Sequence, residues 1–389
     1  MTSEILILNN KAIVMAADSA VTVGGKKTYN GVNKLFMLSN NPPMGIMIFG
    51  SAEFNSIPLE TLIKEYRKQT DFEKLGDIIK IKESFIDYLG KTTDDTNFSN
   101  WDYELKTFKN VVLDLLKEKS EKEVMNHIIN SSVNMEIFPF LKEEHLEDKF
   151  EKLSQELCEK GIEVDDDILK KYFSAVFAFS SSGVVIAGFN ENEFFPSYVS
   201  FNLIAKQKGK IITHDIDSEC DYNGPLIVPF AQKDVINTFI AGIEDNLETA
   251  IIDYFYRVLE TYPEELVAAM KDNKKINGKD LNNAIREVEK IKKTNENRMN
   301  EFVEYIDSFK KDIYLPILGS INVLPKDELA SMAESMIHIT SLKRKIASDL
   351  ETVGGDIDVA IISKGDGFIW KKRKHYFKSE LNPHFFDKE

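Results

Sequence analysis

Apolar runs open the chain. Residues 3–8 and 12–17 are almost wholly hydrophobic and are separated by Asn9-Asn10-Lys11. Short apolar runs bounded by turn-forming residues read as buried strands. The Asn-Asn pair tolerates the positive φ of a tight hairpin. A turn centred on Asn9-Asn10 places Thr2 opposite Ala17 and beside Asp18. A second hairpin is predicted from Val21-Thr22-Val23 through Gly24-Gly25 and back over 26–29. Strands are expected at 33–38 and 44–49, the second ending at Gly50-Ser51. A helix is expected over 57–69, with Pro58 near its first turn.

From about 70 to 171 the spacing is helical and polar, with Phe85, Tyr88 and Leu89, then Leu105, Phe108, Val111, Val112 and Leu115, recurring at helical intervals. Strands are predicted again at 174–179, 184–189, 197–203, 210–215 and 225–229, and a helix at 233–243. A second helical block runs from about 244 to 315. Within it 283–311 is highly charged with sparse apolar positions, as in a surface helix or helical hairpin. A helix from Pro325 to Ala347 is ended by Gly354-Gly355. Strands at 357–363 and 368–371, joined by Gly365-Asp366-Gly367, close the chain. The alternation is strands, helices, strands, helices, strands. Amphipathic helices must bury their stripes on sheet faces, so two stacked sheets between helical layers fit that order. No internal repeat is visible.

Composition narrows the function. The 389 residues are 43% hydrophobic and 29% charged, as in an ordinary soluble protein. A net charge of −15 argues against nucleic-acid binding, which needs concentrated Lys and Arg. The one dense basic run, Lys371-Lys372-Arg373-Lys374, reads as a solvated surface segment. Cys158 and Cys220 have no metal or redox spacing, and the six histidines are scattered, so no metal and no cofactor is expected. There is no glycine-rich phosphate loop, hence no ATPase chemistry in this chain. No run is apolar enough to span a membrane and the start lacks a basic leader, so a cytoplasmic protein with no membrane partner is expected.

Met-Ala-Ala-Asp18-Ser19-Ala-Val-Thr22, then Lys34-Leu-Phe, then Ile-Phe-Gly50-Ser-Ala resemble the proteasome β-type family of N-terminal nucleophile hydrolases. That family's pattern is a threonine at the mature N-terminus, an Asp-Ser segment sixteen residues on, and a Lys-apolar-Phe segment sixteen further. Thr2, Asp18 and Lys34 have those intervals. Gly354-Gly355-Asp356-Ile357-Asp358-Val359 resembles a late strand of the family, and 175–189 with 197–203 its central hairpin. The resemblance covers residues 2–69, 174–243 and 325–371. It implies an α+β fold, a four-layer αββα sandwich formed by one domain over 1–389, with helical insertions at 70–171 and 244–315.

The residues themselves support a definite chemistry. If Met1 is removed, Thr2 carries both a hydroxyl nucleophile and an α-amine able to accept its proton. The charge of Lys34 would favour the alkoxide, and Asp18 would hold Lys34 in place. Gly50 would offer its backbone N–H to the oxyanion. The resemblance further implies that Thr22 bonds the substrate backbone and that Val21, Val32, Phe36, Ile48 and Ala52 line an apolar specificity pocket. Each also has a plain structural reading: a surface ion pair for Asp18 and Lys34, a turn for Gly50, β-propensity for Thr22, core for the apolar five. Two family features are altered. Pro229-Phe230-Ala231-Gln232 stands where the family has a Gly-Ser-Gly turn, and Leu350 and Val353 stand at an Asp-x-x-Ser.

Two functions follow. One is a threonine-type peptidase acting on peptides or unfolded segments, as a homo-oligomer that a separate ATPase could feed. The other is a catalytically silent scaffold of the same fold that binds partners through its extra helices. A hydrolase of small amides is a third reading.

Overall fold

The computed structural model describes residues 3–23, 27–96, 101–132, 135–142, 144–219, 223–272, 277–346, 354–375 and 377–382. Strands β1 (Ser3–Leu8) and β2 (Ile13–Ala17) form the first hairpin, β3 (Ala20–Val23) and β4 (Lys27–Asn30) the second. Then come β5 (Leu35–Asn40), β6 (Pro43–Gly50) and the short pair β7 (Glu53–Phe54) and β8 (Ile57–Pro58). Helices α1 (Leu59–Gln69), α2 (Phe72–Leu75) and α3 (Ile78–Thr92) follow. Next is a block of α4 (Trp101–Glu118), α5 (Glu121–Ser132), α6 (Glu144–Cys158) and α7 (Asp166–Ser180). The chain returns to strands with β9 (Ser182–Phe189), β10 (Pro196–Gln207), β11 (Lys210–Glu219) and β12 (Leu226–Ala231). It continues through α8 (Asp234–Ala241), α9 (Asp245–Asp272), α10 (Gly278–Lys293), α11 (Asn295–Val323) and α12 (Lys326–Ile346). It closes with β13 (Asp358–Ser363) and β14 (Gly367–Lys372).

Ten of these strands form two antiparallel five-stranded sheets, in the orders β12-β1-β2-β13-β14 and β11-β10-β9-β6-β5. Alternation along β1 sorts its side chains. Ile5 and Ile7 pack with Leu329, Ala333 and Ile337 of α12. Leu6 and Leu8 instead meet Met47, Val185, Ala187 and Tyr198 of the second sheet. The outer face of that sheet, with Ile46, Ile48, Val184 and Ile186, is covered by Leu62 and Ile63 of α1 and Ile81 and Phe85 of α3. Each such fully buried side chain contributes about 1.5–3 kcal/mol. The fold is therefore mixed α+β, with apolar clusters on both faces of both sheets. A further cluster lies within α4–α7, where Phe108, Phe150, Leu169 and Phe173 meet Ile204 and Ala205 of β10.

Two sequence expectations are corrected. The first is the hairpin register. Glu4, not Thr2, stands opposite Ala17, and Leu8 stands opposite Ile13. The reversal uses Asn10 and Lys11, because Asn9 is a cap and not a turn centre. Its Oδ1 accepts from the N–H groups of Lys11 (2.9 Å) and Ala12 (3.1 Å). Its Nδ2 donates to the carbonyls of Ile321 (3.0 Å) and Leu324 (3.2 Å) at the end of α11. A shift of two preserves which side chains face the second sheet.

The second correction is the strand expected at 174–179, which lies inside α7. The Asp165 carboxylate accepts from the N–H of Ile168 at 2.7 Å, and Asp166 and Asp167 occupy the first turn, where the helix dipole favours negative charge. Leu169, Tyr172, Phe173, Val176 and Phe177 then form a helical stripe packed on the aromatic cluster. Capping and packing override the β-propensity of the Val and Phe residues. The Gly24-Gly25 turn lies outside the described residues.

Asn9→Ala removes the cap and leaves buried backbone groups unsatisfied. It is expected to destabilise the fold by about 1–3 kcal/mol, measured by urea unfolding of the native and variant chains.

Candidate functional site

The site is built around one carboxylate. Asp18 follows β2 directly and is 0% exposed. Its Oδ1 accepts from the N–H of Ser3 at 3.1 Å and from the ammonium of Lys34 at 2.5 Å. Its Oδ2 accepts from the N–H of Gly354 at 2.9 Å. The N–H of Asp18 donates in turn to the carbonyl of Ser3 at 3.1 Å. One side chain thus joins the start of β1, the end of β2, the approach to β5 in the other sheet and the approach to β13.

Lys34 is 3% exposed, and its carbonyl accepts from the N–H of Ile48 at 2.8 Å. The surface ion pair considered from sequence is not what forms. The pair is buried, so its charges are unscreened and their positions are fixed by backbone hydrogen bonds. Gly355 adjoins it with φ +75°, and an added Cβ there would lie 2.4 Å from Ser19 Oγ. Glycine is required at 355 by this close approach, since only glycine has both the conformation and the room.

Glu4 was missed by the sequence reading, which took 3–8 as a plain apolar strand. It is fully buried, with Oε1 3.5 Å from Lys34 Nζ. Glutamate is almost never fully buried unless paired, so a lone carboxylate in an apolar strand was the available signal. By alternation it shares the face of Leu6 and Leu8, between the sheets. Lys34 therefore lies between two carboxylates. Two further fully buried hydroxyls, Ser3 Oγ and Ser19 Oγ, have no hydrogen-bond partner among the described residues. Buried polar groups normally find partners, so these two hydroxyls stand out beside the ion pair.

Gly50 ends β6 with φ +73°, and a Cβ there would lie 2.5 Å from the carbonyl oxygen of Ser181. Ala231 holds φ +61° on the strand residue paired with Ser3. That conformation costs an alanine about 1–2 kcal/mol. Phe230 and Phe49 stack at 5.3 Å and tie the two sheets together beside these residues.

The other predicted positions separate. Phe36 and Ile48 are packed into the core beneath α1. Val21, Val32 and Ala52 are half-buried. The backbone of Thr22 pairs with Thr28, while its side chain lies outside the described residues, as do Thr2, Leu350 and Val353. In the basic run, Lys372 pairs with Glu334 at 2.5 Å, Arg373 lies 4.4 Å over the Trp370 ring, and Lys374 pairs with Asp358. Among the described residues no three His, Cys, Asp or Glu converge as a metal site would need, and no helix is long and apolar enough to cross a membrane.

Removing one partner of a buried ion pair leaves an uncompensated charge. Lys34→Met is expected to destabilise by about 3–5 kcal/mol. Adding Glu4→Gln to Lys34→Met should recover part of that loss, because it removes one of the two stranded carboxylates. Urea unfolding of the single and double variants measures both.

No family model matches the sequence, and a comparison with curated proteins gives no match. Among solved structures, Anbu (ancestral beta-subunit) from Yersinia bercovieri aligns with a TM-score of 0.36 at 8% identity, covering 99% of this chain and 94% of that one. A likeness of that degree carries no inference about chemistry.

Proposed function

We propose that the chain is an amide hydrolase of the proteasome β type whose nucleophile is Thr2, exposed as the chain start by removal of Met1. The observation that carries this reading is the Asp18 carboxylate, which holds the Ser3 amide and the Lys34 ammonium together. The Ser3 N–H belongs to the peptide link that joins it to Thr2. The helix–sheet–sheet–helix order of the apolar clusters supports a four-layer αββα sandwich.

In this reading the Thr2 hydroxyl attacks an amide carbonyl and passes its proton to its own α-amine. The ammonium of Lys34 stabilises the developing alkoxide, and the N–H of Gly50 donates to the oxyanion. Collapse of the tetrahedral intermediate expels the amine leaving group, which takes up a proton, and leaves an ester on Thr2. Water attacks that ester, regenerating the hydroxyl and releasing the acid. Glu4, 3.5 Å from Lys34 Nζ, adds a second carboxylate to offset its charge. The strained Ala231 keeps a left-handed backbone where the resembling family has a Gly-Ser-Gly turn, so the local chain path survives the loss of glycine. Substrates are peptides or unfolded segments, and the working form is a homo-oligomer in the cytoplasm, with α4–α7 and α9–α11 as elaborations of one domain.

Intact-mass measurement of the purified native chain is expected to show loss of Met1, and a peptide β-lactone or vinyl sulfone to add covalently at Thr2. Thr2→Ala should lower peptide hydrolysis about a thousandfold or more while leaving the urea midpoint unchanged. A retained Met1, or no adduct at Thr2, overturns the reading in favour of a silent scaffold.

A further inference from the structure

A cavity of about 330 Å³ opens beside Gly50. Folded interiors hold few voids larger than a water molecule, and small-ligand pockets begin at about 300 Å³. It is an open cleft of ligand size. Its walls come from three parts of the chain. Phe49 and Gly50 belong to the second sheet, Ala231 to the first, and Met135, Ala175 and Ala178 to the helical block. The cavity thus exists because α7 lies against the end of the sheets where Ser3 meets Ala231 and Gly50 meets Ser182.

Most of the lining is apolar, including Ile216 of β11, and Gln232 and Lys233 after β12 add polar groups at its edge. Asn202 and His214 stand directly opposite each other across β10 and β11 and supply polar groups on one wall. Asn202 is 8% exposed. An apolar slot with a few convergent donors and acceptors is the form taken by sites that bind one side chain and orient the backbone carrying it.

We propose that this cavity receives an aromatic or branched-aliphatic side chain of the amide substrate, next to the carbonyl presented to Gly50. The inference rests on the reading of Gly50 as the oxyanion donor. It places specificity in a pocket whose far wall is the helical block. Phe36 and Ile48, by contrast, are already packed under α1. The substrate class is then an amide or peptide with Leu-like or Phe-like character at that position, and Asn202 and His214 hydrogen-bond its backbone.

The test is non-covalent and uses the full-length Thr2→Ala chain, so it reads the cavity whether or not Thr2 is a nucleophile. N-acetyl-4-fluorophenylalanine amide is titrated and followed by fluorine NMR. Saturable binding is expected, displaced by N-acetyl-leucinamide and not by N-acetyl-glycinamide. Ala175→Trp fills the slot, and Ile216→Glu places a charge in it from an exposed strand position. Each is expected to weaken binding at least tenfold with thermal unfolding unchanged. Absence of saturable binding overturns the proposal, as does unchanged affinity in either folded variant. Binding without an electrophile adduct at native Thr2 would instead preserve the pocket and reject the hydrolase reading.

Discussion

Everything at the sheet ends depends on a buried ion pair that packing alone would not favour. Moving Asp18 and Lys34 out of water is expensive, and their attraction offsets this only with good geometry and further hydrogen bonds. Those further bonds come from the backbone, from Ser3, Gly354 and the Ile48–Lys34 link. The pair is therefore a product of sheet stacking as much as a cause of it. Shifting either sheet would leave a charge stranded in the interior. That is a poor device for stability and a good one for fixing two charged groups within a fraction of an ångström. Such fixation is what preorganised catalysis requires.

The strand pattern was legible because short apolar runs and turn residues are local signals. The Asp18–Lys34 contact was legible through spacing and resemblance. What the sequence concealed has physical reasons. The hairpin register turned on whether Asn9 was a turn residue or a cap, and its cap partners lie more than three hundred residues away. Segment 174–179 was read as strand because its Val and Phe residues favour strands in isolation. The cap at Asp165 and the aromatic packing partners decide otherwise. Glu4 carried only a faint signal, because a single charged residue in a strand normally points to solvent, and the stacked second sheet makes its face an interior one.

The helical elaborations change the meaning of the site. Had α4–α7 formed a separate body, they would add surface and nothing more. Instead Ile204 and Ala205 of β10 are part of their core, and α7 shares a cavity wall with Gly50. The buried charged pair, Asp18 and Lys34, adjoins the ends of β2 and β5, while one wall of the neighbouring cavity comes from the helices.

The bond from the Gly354 N–H to Asp18 sets an order in time. Asp18 is made 336 positions before Gly354. While the protein is being synthesised, the carboxylate must wait with this lone pair facing water or an incomplete interior. The closing contact forms only after Gly354 has left the ribosome, and contacts this distant in sequence are the slow ones. A nascent chain therefore has its first sheet strands long before it has a completed charge cluster.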